Sequence, residues 1–238
     1  RMALVMGAHA ACAMGLLLGG CAVESGGGDP ESGGLELGAP GDFRSGSVEG
    51  DATTQKMCTV VREDVYTTVT IGTGSYGSWN CWDYCSAGSF AYGVQLRSES
   101  SRGSGDDTAL NAVLLECYYR NTGGYAGYVT SGQNGWGWWM TPAYSNPSTT
   151  DNPFKGGRMR IEPGQGSGDD TMGNQVALTA MNGVETVPSA ATSWGNWNGT
   201  TSCPAGTAVC GIQTRTEGSQ GNGDDTALNG VKLACCTF

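Results

Sequence analysis

Beyond residue 58 the chain alternates apolar and polar positions with a period of two. Val94 and Leu96 alternate with Gln95, Arg97 and Glu99, and further on Val113, Leu115 and Cys117 share one face. Segments 65–71, 156–163, 175–181 and 209–217 show the same pattern. Each predicts a strand with one apolar and one solvated face. Long helical periodicity is missing outside the N-terminus.

The predicted hairpins run through one recurring loop: GSGDDTALN at 103–111, GSGDDTMGN at 166–174 and GNGDDTALN at 221–229. Segments 93–117 and 211–235 are identical at 16 of 25 positions. The middle copy keeps Arg160, Glu162, Asp169, Asp170, Thr171 and Asn174 in register. An aromatic-Gly-x-Trp step precedes each loop, at 76–79, 136–139 and 194–197. The repeats span about 58–120, 121–182 and 183–238, each long enough for some four short strands. A four-stranded sheet with one apolar face cannot bury it alone, and three sheets around an axis can. Propellers typically use four or more blades. The expected fold is therefore all-β, three four-stranded sheets forming a triangular prism with pseudo-threefold internal repeats.

Composition supports this picture. Glycine is abundant, charged residues are few, and tryptophan and tyrosine are plentiful, as in strands joined by tight turns. The net charge is −10, and residues 22–57 hold seven acids against two bases. Residues 58–238 hold 15 acids against nine bases with no basic stripe, which argues against nucleic acid. At the N-terminus, Arg1 precedes a largely apolar stretch, and Leu18-Gly19-Gly20-Cys21 resembles a bacterial lipobox. Residues 1–20 are therefore expected to be a lipoprotein-type signal peptide and Cys21 a lipidation site, with membrane attachment only through that lipid. An ordinary secretory signal cleaved nearby is the alternative. Residues 21–57, rich in Gly, Ser and acids, read as a flexible tether to the domain at 58–238. The expected location is the cell envelope, at the outer membrane or cell surface.

Eight cysteines remain in 58–238, an even number suited to a disulfide framework. Cys85 and Cys203 occupy equivalent repeat positions, and so do Cys117 and Cys235. The middle repeat has Ser148 and Ala180 there, a joint absence that a bonded pair would produce. This pairs Cys85 with Cys117 and Cys203 with Cys235. It leaves Cys210 for Cys236 and Cys58 for Cys81. Zinc is a poor alternative, because the chain has no Cys-x-x-Cys pair and its sole histidine, His9, lies in the leader. No cofactor is expected.

Together the aromatic-Gly-x-Trp steps, the Arg-x-Glu strands, the Gly-Asp-Asp-Thr-Ala-Leu-Asn loops and the terminal Cys235-Cys236 resemble the vitelline membrane outer layer protein I family. The resemblance covers essentially all of 58–238. It implies a β-prism I fold of three Greek-key sheets, shared with jacalin-type lectins. It also implies a partner of the N-acetylglucosamine-type oligosaccharide or cell-surface polymer kind, with weak transferase behaviour at most. The chain departs from the family in its lipoprotein-like leader, its missing middle cysteine pair and its Met172-Gly173.

The candidate chemistry admits two readings throughout. Asp107, Asp170 and Asp225 either fix turns through backbone N–H groups or gather as a ligand site. Glu99, Glu162 and Glu217 either line a central cavity with Arg97, Arg160 and Arg215 as partners, or form solvent-side ladders. The recurring Trp79, Trp139 and Trp197 are expected in the core, whereas Trp82, Trp136, Trp138 and Trp194 are candidate sugar-stacking platforms. Nucleophilic triads need a histidine that the mature chain lacks, so carboxylate-based glycosyl transfer or hydrolysis is the remaining enzymatic alternative. The leading expectation is an exported domain that binds glycans or serves in an extracellular coat. A purely structural role is the third reading.

Overall fold

The structure, a computed structural model, describes residues 58, 61–103, 107–145, 150–165, 171–221 and 225–238. In chain order the strands are β1 (Val65–Thr73), β2 (Ser78–Trp79), β3 (Asp83–Tyr84), β4 (Ser89–Ser98), β5 (Leu110–Tyr119), β6 (Tyr125–Thr130), β7 (Trp138–Trp139), β8 (Ala143–Tyr144), β9 (Phe154–Ile161), β10 (Gly173–Ala180), β11 (Glu185–Thr186), β12 (Asn196–Trp197), β13 (Thr201–Ser202), β14 (Thr207–Thr216) and β15 (Leu228–Thr237).

Three antiparallel sheets result. One has the order β6-β5-β4 with β7 and β8 along the far edge of β4. The second has β11-β10-β9 with β12 and β13 beside β9, and the third has β1-β15-β14 with β2 and β3 beside β14. In the first two, a central hairpin continues into a third strand while a broken fourth strand returns to the hairpin's first, which is Greek-key order, and the third has the same spatial order. The third sheet takes its outer strands from the beginning of the domain and its hairpin from the end. The aromatic-Gly-x-Trp steps of the second and third repeats therefore pair with the Arg-x-Glu strand of the repeat before them, and that of the first closes the cycle on the last, Trp79 opposite Arg215. The spatial sheet is offset from the repeat seen along the sequence.

The inner faces meet in one core. Leu96, Leu110 and Leu115 from the first sheet, Phe154, Met159 and Leu178 from the second, and Ile212, Leu228 and Leu233 from the third are fully buried. A smaller apolar cluster joins Phe90 and Tyr92 to Ala208, Cys210, Ala234 and Cys236. Four disulfides connect Cys58 to Cys81, Cys85 to Cys117, Cys203 to Cys235 and Cys210 to Cys236.

Candidate functional site

The turn after each Arg-x-Glu strand is one motif built three times. Ala109, Met172 and Ala227 adopt left-handed backbone conformations, with φ of 48°, 45° and 46°. Non-glycine residues rarely accept this, so the surroundings must hold it. The carbonyls of these residues accept from the N–H groups of Glu99, Glu162 and Glu217, at 2.7–2.8 Å. The Glu carboxylates then accept from Thr108, Thr171 and Thr226, at 2.8, 2.6 and 2.5 Å. The same threonine oxygens accept from Asn111, Asn174 and Asn229, at 2.8, 2.8 and 2.6 Å. The Thr and Asn residues are buried in all three copies.

Asp107 and Asp225 complete the motif. Asp107 accepts from the Arg102 N–H at 2.5 Å and from the Ser101 hydroxyl at 2.9 Å. Asp225 accepts from the Gln220 N–H at 2.5 Å and from Ser219 at 3.3 Å. Both carboxylates are buried and engaged inside their own turns. Asp170, like Cys21, lies outside the described residues. The three glutamates belong to separate turns, each committed to its own threonine. Among the described residues no three His, Cys, Asp or Glu side chains group as metal ligands.

The arginines of the Arg-x-Glu strands partner neither those glutamates nor a central cavity. Arg215 donates to the carbonyls of Gly74, Ser75 and Gly77 at 2.9–3.0 Å. Arg160 donates to Gly195 at 3.0 Å, and Arg97 donates to Gly137 at 3.3 Å and to Gly135. Each guanidinium thus pins the aromatic-Gly-x-Trp step of its edge strand. The glycine of that step has φ near +70° in all three copies, and a Cβ there would overlap the backbone of Thr216, Ser98 or Ile161.

The recurring tryptophans are not core residues. Trp139 stands in register with Arg97, Trp197 with Arg160 and Trp79 with Arg215, so all three lie on outer faces. Trp139 is exposed, and Lys232 and Arg158 sit over the rings of Trp79 and Trp197 at 4.0 and 4.7 Å. Of the candidate platforms, Trp138 is 83% exposed on an edge strand. Trp82 is half-buried and stacks on Tyr84 at 5.7 Å, and Trp136 and Trp194 are half-buried.

One patch that the repeats do not share lies on the outer face of the first sheet. Across its middle runs the row Tyr144, Gly93, Glu116, Tyr128. The matching row of the third sheet is Tyr84, Gly211, Ala234, Thr68, and that of the second is Ser202, Gly156, Thr179, Glu185. Gly93 lets the Tyr144 ring lie on the strand, since a Cβ there would approach the ring to 2.8 Å. Glu116 accepts from the Tyr144 hydroxyl at 2.9 Å and from the Tyr118 hydroxyl at 3.1 Å. Tyr118 meets Tyr125 edge to face at 5.4 Å. Tyr125, Tyr128 and Tyr144 are 56%, 62% and 39% exposed. Burial, reinforced by the Glu116 charge, pushes the Tyr118 hydroxyl up to about 12. Burial first and then the neighbouring Glu116 raise Tyr144 and Tyr125 as well. These phenols stay neutral donors at ordinary pH. A search keyed to what recurs overlooks them, and the signal available was the tyrosine-rich stretch from Tyr118 to Tyr128, which neither other repeat carries.

Geometry thus defines a disulfide-bonded β-prism with three equivalent turns and one distinct face. The profile of the Vitelline membrane outer layer protein I (VOMI) family matches residues 67–238. The Vitelline membrane outer layer protein 1 homolog of Homo sapiens is 37% identical over 165 residues, spanning 68% of this chain and 79% of the relative. That of Mus musculus is 35% identical with the same coverage. The chain belongs to the vitelline membrane outer layer protein I family. Among solved structures, Calystegia sepium agglutinin superposes with a TM-score of 0.48 at 10% identity, covering 73% of this chain and 98% of that one. Family membership and four disulfides, which persist in oxidising compartments, make this an exported protein.

Proposed function

We infer that this protein binds glycans on the outer face of its first sheet, where the row Tyr144, Gly93, Glu116, Tyr128 breaks the threefold repeat. The observation that carries this reading is the exposure of Tyr125, Tyr128 and Tyr144 around a carboxylate, on one sheet of three. The Glu-Thr-Asn turns and the arginine-pinned aromatic-Gly-x-Trp steps have a structural task in all three copies, so they leave little chemistry for a ligand. Flat aromatic rings offer apolar surface to the C–H faces of a pyranose, and phenol and carboxylate groups serve its hydroxyls. The family's outer-layer description supports placing the chain in an extracellular coat, where a glycan-binding face would contact the coat's sugars. N-acetylglucosamine-type oligosaccharides are the first ligands to test. Calorimetric titration with chitotriose should detect binding that falls about tenfold or more in Tyr128→Ala and Glu116→Gln. It should be unchanged in Thr68→Ala, the matching position of the third sheet. Equal loss in all three, or in none, refutes the assignment.

Anchoring through a lipid on Cys21 belongs to the same proposal, resting on Leu18-Gly19-Gly20-Cys21 and the tether-like composition that follows. Ala22 after the cysteine resembles an outer-membrane sorting pattern. Cys21→Ser should move the protein from the membrane to the soluble fraction, and unchanged membrane association would exclude lipid anchoring.

A further inference from the structure

Near the Tyr92 end of this sheet lies an open cleft of about 590 Å³. Phe90 and Phe238 meet there edge to face at 5.0 Å, with Tyr119 on the rim. The Arg120 guanidinium carbon lies over the Phe238 ring, 3.9 Å from its centroid. Arg120 approaches Asp151 only to 3.8 Å, beyond hydrogen-bond reach, and Asp151 is 81% exposed. Asp64, which also lines the cleft, is held by the buried Arg62 through bonds of 2.6 and 2.9 Å. That pairing keeps the Asp64 carboxyl below its ordinary range.

We propose that this cleft is a separate binding site for a single neutral pyranose, whose hydroxyls bridge Arg120 and Asp151. Arg62 behind Asp64 offsets that carboxylate, and Arg120 stands beside Asp151, so the lining is close to neutral. An anion meets Asp64 and Asp151 there, and a cation meets Arg120. A sugar hydroxyl accepts and donates at once, so it can take a bond from Arg120 and give one to Asp151 across the gap that the ion pair leaves open. The volume lies within the range of small-molecule sites. Tyr92, packed edge to face on Tyr118 at 5.9 Å, shares an apolar cluster with Phe90 and Phe238 of the cleft, which puts the cleft beside the tyrosine face. A chain long enough could occupy both. The proposal extends the glycan-binding reading of that face, yet it can succeed or fail without it.

The test is amide-resolved NMR titration of the full chain with free N-acetylglucosamine and methyl α-mannoside, using glucuronic acid and glucosamine as charged controls. At least one neutral sugar should shift the amides of Tyr119, Arg120, Asp151 and Phe238. Arg120→Ala and Asp151→Asn should each weaken that binding about fivefold or more. Asp151→Asn is safe for folding, because the side chain is largely solvated. Chitotriose shifts on Tyr125 and Tyr128 should survive in Asp151→Asn, and cleft shifts should survive in Tyr128→Ala, so the two sites are scored apart. Silence of the cleft amides toward both neutral sugars, tighter binding of either charged control, or indifference to both substitutions overturns the proposal.

Discussion

Replacing Thr108 by valine tests the three-copy turn with little change in side-chain size. The Thr108 hydroxyl donates to the Glu99 carboxylate at 2.8 Å and accepts from Asn111 at 2.8 Å. Thr108 is 2% exposed and Asn111 fully buried, so solvent cannot replace either bond. A hydrogen bond to a charged group contributes about 1.5–3 kcal/mol and a neutral one about 1 kcal/mol. Glu99 keeps Arg102 at 3.3 Å, and Asn111 keeps the Ala109 carbonyl at 3.3 Å, which limits the damage. The left-handed Ala109, costing about 1–2 kcal/mol by itself, then loses part of what holds it. We expect Thr108→Val to lower unfolding free energy by about 2–4 kcal/mol in guanidinium titration with disulfides intact. Thr226→Val should behave alike, and Thr108→Ser should restore most of the loss. A change under about 0.5 kcal/mol in both valine variants would show that the motif does not hold the turn.

Three further outcomes follow from the same geometry. Burial pushes the hydroxyls of Tyr92 and Tyr118 up to about 12 from an ordinary 10, so folding favours their protonated forms. Their contribution is complete below about pH 10 and is lost as pH rises toward about 12. For the buried Tyr92 that amounts to up to about 3 kcal/mol, read as falling stability between about pH 10 and about pH 12, and a flat profile there contradicts it. Removing the Cys203–Cys235 bridge by double alanine substitution opens a loop of sequence separation 32 and should cost about 3–4 kcal/mol in the same titration. Gly93→Ala places a methyl group 2.8 Å from the Tyr144 ring and 2.9 Å from the Glu116 Cβ, so it should weaken glycan binding while far-ultraviolet circular dichroism stays unchanged.

The sheets were legible because period-two patterning survives along Val94, Leu96, Val113 and Leu115, all buried in the core. The pairs Cys85–Cys117 and Cys203–Cys235 could be read from repeat register, since a bridge constrains two positions at once. The fate of the Arg-x-Glu pair could not. Strict alternation puts Arg97 and Glu99 on one face, but a bulge between Arg97 and Ser98 breaks it, and another follows Arg215. Arg97 therefore turns out over the edge strand, while Glu99 turns toward Thr108. Offset pairing also hid the recurring tryptophans, each of which sits opposite an arginine of a different repeat. Recurrence identified the scaffold, whereas the tyrosine face is defined by its departure from recurrence.

The most direct test of that distinction is to map a bound oligosaccharide on all three sheets of the full chain. In amide-resolved NMR with saturating chitotriose, shifts should concentrate on Gly93, Glu116, Tyr118, Tyr125, Tyr128 and Tyr144. The matching residues Gly211, Ala234, Thr68 and Tyr84, and Gly156, Thr179, Glu185 and Ser202, should stay in place. Equal shifts on the three rows, or shifts confined to the Glu99, Glu162 and Glu217 turns, would contradict the account.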